Sequence, residues 1–178
     1  MNGFKRLLIG LLAVVSLATA AQAETLVNGA GATFPYPLYA KWFSEYAKVN
    51  SAVKFNYQSI GSGGGIKQIT ARTVDFGASD KALSDAELKA APGELLHIPT
   101  VMGAVVVTYN IPGVAKGLRL TPETLSNIYL GKITKWNDPK LTKDNPKVAL
   151  PNAPIVVVHR TDGSGTTSIF TNYLSKVS

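Results

Sequence analysis

The chain has 178 residues, 46% of them hydrophobic and 16% charged, an ordinary globular composition of about the length of a single domain. Eighteen basic residues against eleven acidic ones give a net charge of +7. Cysteine is absent, which excludes a disulfide framework, a zinc–thiolate site and a catalytic thiol.

Lys5 and Arg6 precede an apolar run from Leu7 to Val15 that continues in small residues to Ala21-Gln22-Ala23. A charged start, a short apolar middle and an A-x-A ending predict a cleavable export signal over 1–23, too short for the roughly 20 residues of a membrane span. Residues 24–178 keep 16 basic and 11 acidic residues, a net charge of +5. With no cysteine for a lipid anchor, the expected address is the periplasm of a diderm bacterium, with secretion to the medium as second choice.

Short strand patterns then alternate with helix patterns, the signature of an α/β sheet. Thr25–Asn28 reads as a strand. Pro35–Lys48 reads as a helix, because Leu38 and Trp42, and Tyr39 with Phe43 and Tyr46, recur at spacings of three and four, and proline suits a first turn. Val53–Gln58, Val74–Ala78 and Leu95–Pro99 follow as strands, with helices expected over Ile66–Ala71 and Ser84–Ala90. Ala104–Asn110 and Ile155–Arg160 are continuous apolar runs, expected as buried strands on either side of a helix over Pro122–Leu130 capped by Thr121. The lysine-rich stretch between them, 131–153, reads as a long solvated excursion. A last amphipathic helix opens at Ser164, and its apolar positions Ile169, Phe170, Tyr173, Leu174 and Val177 are still in phase at Ser178, which predicts a fragment of a longer protein.

Three segments share one design, a strand ending in a small-residue loop with hydroxyls and leading directly into a helix. They are Gly29-Ala30-Gly31-Ala32-Thr33-Phe34-Pro35, Gly61-Ser62-Gly63-Gly64-Gly65 and Asp162-Gly163-Ser164-Gly165-Thr166. Unpaired amides at a helix start point at one spot, the helix dipole favours negative charge there, and glycine admits an anion close to the backbone. A helix cap with a tight turn explains most single Gly-Ser clusters, but three in one chain point to an anion. Arg160, at the end of a predicted strand, adds a guanidinium fork for two oxygens of that anion, and Asp162 is placed to orient it.

Nucleotide binding is disfavoured. The Walker spacing fails at Ile66, and G-x-G-x-x-G fails at Phe34 and again at Ile66. The hydrolase elbow G-x-S-x-G fails around Ser164, whose outer neighbours are Asp162 and Thr166. His97 and His159 stand apart from any metal or catalytic spacing, so neither a metal site nor a catalytic residue nor a cofactor is expected. The lysines between 132 and 147 are interrupted by acids and carry only Trp136 as an aromatic, so nucleic acid is not an expected partner.

Taken together, Gly29–Pro35, Ile60–Gly65, Val74–Asp80, Ile128–Trp136 and Arg160–Thr166 resemble the phosphate-binding proteins of bacterial high-affinity phosphate ABC transporters, over the whole chain after the signal. Gly63 stands where some relatives carry a second serine, and Thr161 where others have alanine. The resemblance implies a two-lobed periplasmic-binding-protein fold of type II, here incomplete, with 24–103 in the first lobe and 104–178 opening the second. It implies inorganic phosphate as ligand, held by Thr33, Phe34, Ser62, Asp80, Arg160, Ser164, Gly165 and Thr166. It also implies delivery to membrane permease subunits powered by an ATPase subunit, with no insertion of the receptor itself in the membrane. Asp80 would then distinguish phosphate, which carries a proton near neutral pH, from sulfate, which does not. Arsenate shares phosphate's protonation and stays open as a ligand, as does a phosphate-handling enzyme as an alternative function. Residues 24–178 alone are expected to bind phosphate weakly or not at all.

Overall fold

The computed structural model describes residues 24–178 except residue 115. The expected export signal, 1–23, lies outside the described residues. Strands β1 (Thr25–Gly31), β2 (Val53–Ser59) and β3 (Phe76–Ala78) form an all-parallel sheet in the order β2-β1-β3. Central β1 is in register with both neighbours, so that Gly29 pairs with Tyr57 on one side and with Phe76 on the other.

Helix α1 (Tyr36–Val49) lays its aromatic stripe on β2. The strand's period of two puts Phe55 and Tyr57 on the same face. Phe43 stacks on Phe55 at 4.6 Å between ring centroids, and Tyr39 meets Tyr57 edge-on at 5.4 Å. Buried Ala32, Tyr39 and Ala78 make the centre of this core, with Phe43, Tyr57 and Phe76 around it. The Tyr57 hydroxyl donates to the Ala32 carbonyl at 2.7 Å, while the Ala32 amide donates to Ala78 at 2.8 Å. The chain leaving β1 is therefore fixed on both sides.

Helix α2 (Ser62–Thr70) begins at Ser62, one turn before the predicted Ile66, so its glycines form the first turn instead of a loop. That turn sits directly on the sheet. A Cβ added to Gly65 would fall 2.5 Å from the Gly31 Cα and 2.7 Å from the Ala78 carbonyl oxygen, and Gly31 has a φ of +139°. Only glycine permits both the backbone conformation at 31 and this helix-to-strand approach. Helix α3 (Asp85–Ala90) follows, with Ser84 and Glu87 forming a reciprocal capping box.

A second cluster contradicts the reading of 131–153 as a solvated excursion. Helix α5 (Pro139–Asp144) inserts Leu141, 0% exposed, against Ile128 of helix α4 (Pro122–Tyr129) and Ile133, with Leu120, Trp136, Leu150 and Ile155 around them. The lysines disguise a period of apolar residues too sparse to stand out in sequence. Asp144 accepts from the hydroxyls of Thr121 and Thr124, and Asn145 clasps the backbone of Arg119 from both sides. Helix α6 (Gly165–Val177) packs on α4 through Tyr129 and Phe170, whose rings meet edge-to-face at 4.8 Å.

The strands expected over Leu95–Pro99, Ala104–Asn110 and Ile155–Arg160 are not formed among the described residues. They form no ladder, the Lys135–Pro154 bridge being the nearest approach to one. Apolar runs become strands only when a neighbour takes their amides and carbonyls and both faces are covered. Here Val106 is 72% and Val158 83% exposed. No helix of the described residues is long and apolar enough to cross a membrane.

Replacing Leu141 by Ala is expected to cost about 2–5 kcal/mol in urea unfolding, since the site is closed on all sides; a loss below about 1 kcal/mol would contradict this packing. Burial, and secondarily the neighbouring Tyr39 and Asp80, raise the Tyr57 phenol above its ordinary value of 10.0. The folded state thus holds this proton more tightly, and the resulting stability is complete below pH 10.0 and is lost as the pH rises through the raised value. Tyr57→Phe is expected to lose about 1–3 kcal/mol at neutral pH, through the orphaned Ala32 carbonyl, and to flatten the alkaline fall in stability. An unchanged alkaline slope would contradict the assignment.

Candidate functional site

The carboxyl ends of all three strands point to one place, which is where parallel α/β sheets bind ligands. β1 leads to Thr33 and Phe34, β2 to Gly61 and Ser62, and β3 to Asp80. Arg160 and the start of α6 approach from the other side. Arg160 Nη1 donates to Thr33 Oγ1 at 3.0 Å across 127 positions of sequence, and Thr166 Oγ1 donates to Asp80 Oδ2 at 2.9 Å. The Asp80 amide donates to Ser62 Oγ at 3.1 Å. A Cβ on Gly165 would lie 2.4 Å from Ser62 Oγ, so the starts of α2 and α6 touch.

These contacts gather Thr33, Ser62, Asp80, Arg160, Gly165 and Thr166. Ser164 is the N-cap of α6 and is 8% exposed; its Oγ accepts from the Thr167 amide at 3.1 Å. Ser62 is 3% exposed. Each of these two hydroxyls accepts within the protein and keeps a proton of its own that it can donate. Phe34 lines, with Asp80, Thr100, Met102 and Thr166, a cleft of about 280 Å³. Its ring covers Gly103, where a Cβ would fall 2.5 Å from it.

The helix starts supply further donors. First-turn amides of a helix have no intrahelical acceptor. In α2 that applies to Ser62, Gly63 and Gly64, of which the Gly63 amide is taken by the Gly163 carbonyl at 2.7 Å, and in α6 to Gly165 and Thr166. Neither helix carries an acidic residue in its own first turn, but carboxylates from elsewhere in the chain stand at both starts: Asp80 Oδ2 accepts from Thr166 Oγ1 at 2.9 Å beside α6, and Asp162 Oδ2 lies beside Gly61, the N-cap of α2.

Arg160 is held by Asp162, with Nε donating to Oδ1 at 2.8 Å and Nη2 to Oδ2. Hydrogen bonding to Asp162 raises the guanidinium's pKa, and hydrogen bonding to Arg160 holds the Asp162 carboxyl below the usual carboxylate value. The pair is intact above the ordinary carboxylate range and is lost as the pH falls through the lowered value. Counted together, Arg160, Asp162 and Asp80 carry a net charge of −1. An anion at this place is therefore met by dipoles and hydrogen bonds and not by an excess of positive side chains.

Sequence reasoning did not single out Tyr57, which fixes Ala32 next to Thr33, or Tyr39, whose hydroxyl bonds Thr100 Oγ1 at 2.7 Å beside the cleft. Both were visible only as core aromatics. His97, exposed, accepts from the Leu83 amide at 3.3 Å. Among the described residues no group of three His, Cys, Asp or Glu could hold a metal ion.

The model of the PBP superfamily domain matches residues 18–177. The phosphate-binding protein PstS of Pasteurella multocida is 52% identical over 175 residues, which is 98% of this chain and 50% of that protein. The protein of the same name from Haemophilus influenzae is 54% identical over 159 residues, 89% of this chain and 46% of the relative. The chain thus spans about half the length of the curated relatives it matches. Among solved structures, a Clostridium perfringens protein described as a phosphate ABC transporter substrate-binding protein with bound phosphate superposes with a TM-score of 0.62 at 27% identity. That match covers 84% of this chain and 56% of the other. A phosphate transport receptor of ABC type from Vibrio cholerae shares the fold, with a TM-score of 0.53 at 20% identity over 84% of this chain and 55% of that one. The family model spans the sheet, the three helix starts and Arg160 alike, and the chain belongs to the PBP superfamily.

Proposed function

We propose that this chain is the anion-gripping part of an exported receptor that captures inorganic phosphate and hands it to the permease of an ABC transporter. Residues 24–103 belong to a first lobe and 104–178 open a second. Thr33, Phe34 and Ser62 present donors from the first, and Arg160, Ser164, Gly165 and Thr166 present them from the second. Residues 1–23 direct export to the periplasm, and an ATPase subunit on the far side of the membrane supplies the energy. The receptor acts by binding and release, without turnover. The names of the Pasteurella and Haemophilus relatives, and the phosphate bound in the Clostridium structure, support this ligand.

One observation carries the choice of phosphate over sulfate: the Asp80 carboxylate stands among the donors, with Thr166 on its Oδ2 and its own amide on Ser62. A carboxylate beside a bound anion repels it unless the anion donates a hydrogen bond. Monohydrogen or dihydrogen phosphate has a proton to give. Sulfate has none, and would leave two acceptors facing each other away from water.

The full-length gene product is expected, by isothermal titration, to bind phosphate at least about tenfold more tightly than sulfate. Asp80→Asn replaces one acceptor oxygen by a donor and is expected to narrow the preference several-fold by admitting sulfate. Undiminished discrimination in Asp80→Asn would overturn the role of Asp80, and a wild type indifferent to phosphate would overturn the function.

A further inference from the structure

Between the two sets of donors lies a contact that no ligand role explains. The Gly63 amide, one of the first-turn donors of α2, gives its hydrogen to the Gly163 carbonyl at 2.7 Å. The α-carbons of these residues lie against each other. A Cβ on Gly63 would stand 3.0 Å from the Gly163 Cα and 3.2 Å from its oxygen. A Cβ on Gly163 would stand 3.0 Å from the Gly63 Cα and 3.4 Å from its nitrogen. Gly61 lies on the same seam, where a Cβ would fall 2.6 Å from Asp162 Oδ2.

Neither Gly63 nor Gly163 has a positive φ, so the backbone conformation does not demand glycine at either place. What demands it is the approach of one loop to the other. The same approach withdraws one amide of the α2 start from any anion and gives it to the opposite loop.

We propose that the Gly63–Gly163 contact is a closure latch, a hydrogen bond made only when the loop after β2 meets the loop before α6, so that it favours the phosphate-holding form and slows release. This rests on the phosphate-receptor reading above. The open form leaves both groups to water, so the latch shifts the population toward closure by its net hydrogen-bond and contact energy. A methyl group at 163 wedges the seam by a few tenths of an ångström, and a larger side chain does so further. The loops still present their donors, but the closed form is less populated. Association is then little changed while dissociation quickens, as is common when a contact formed late is removed.

The test uses the full-length gene product as wild type, Gly163→Ala, Gly163→Val and, from the other side of the seam, Gly63→Ala. Two quantities are read: hydrogen exchange at the residue-63 amide by NMR, and phosphate association and dissociation rates by stopped flow. The latch predicts a protected Gly63 amide in the phosphate-bound wild type, lost protection in the Gly163 variants, and dissociation faster by about tenfold in Gly163→Ala and more in Gly163→Val. Gly63→Ala, with the amide retained, is expected to fall between wild type and Gly163→Val. Unchanged dissociation and protection in the variants overturn the latch, as does an unprotected Gly63 amide in the phosphate-bound wild type. A wild type that protects Gly63 without binding phosphate overturns the phosphate reading and leaves the loop contact standing.

Discussion

A small anion can leave water for a protein only where fixed donors meet its charge before it arrives. In the proposed phosphate site side-chain charge would not be the main source, because Arg160 is outweighed by Asp80 and Asp162. The burden falls on backbone amides and hydroxyls, which must be held without alternatives among themselves. Two features achieve that. The close seat of α2 on the sheet at Gly31, Gly65 and Ala78 fixes the first helix start, and the N-cap Ser164 fixes the other. Move either helix by the width of a methyl group and the donors no longer converge.

The rest of the fold serves that placement. The stacked aromatics between α1 and β2 anchor the helix that follows Thr33, and Tyr57 reaches past them to hold Ala32. The small core around Leu141 supports α4, on which α6 leans through Tyr129 and Phe170. Asp162 locks the Arg160 fork in the plane in which Nη1 reaches Thr33. Local strength is thus concentrated where a donor must not move. The exposed run 156–158 leads the chain to Arg160, while Ala104 and Val105 help to line the cleft beside Phe34.

How much of this was legible in the sequence depended on whether a feature is local. Helix α1 was plain from its aromatic spacing and first-turn proline, and the three Gly-rich helix starts from their composition. The pairing of Arg160 with Asp162 needed only two residues of separation. The failures were all matters of context. Val105–Val107 and Val156–Val158 have every local mark of buried strands, but a ladder needs a neighbour that these positions lack among the described residues. Leu141 was hidden because its neighbours along the chain are polar or charged and its partners, Ile128 and Ile133, lie outside its helix. The Tyr57 hydroxyl and the Gly63–Gly163 contact involve partners 25 and 100 positions away, where no spacing rule reaches.

The central claim is that the donors gathered from Thr33, Ser62, Arg160, Ser164 and Gly165 surround one anion. A crystal structure of the full-length gene product grown with phosphate tests it most directly. The account predicts phosphate oxygens at hydrogen-bond distance from Thr33 Oγ1, Ser62 Oγ, the Arg160 guanidinium and the Gly165 amide, with one protonated oxygen on Asp80. Phosphate seated elsewhere, with Arg160 still bonded to Thr33 and Asp162 alone, would contradict it.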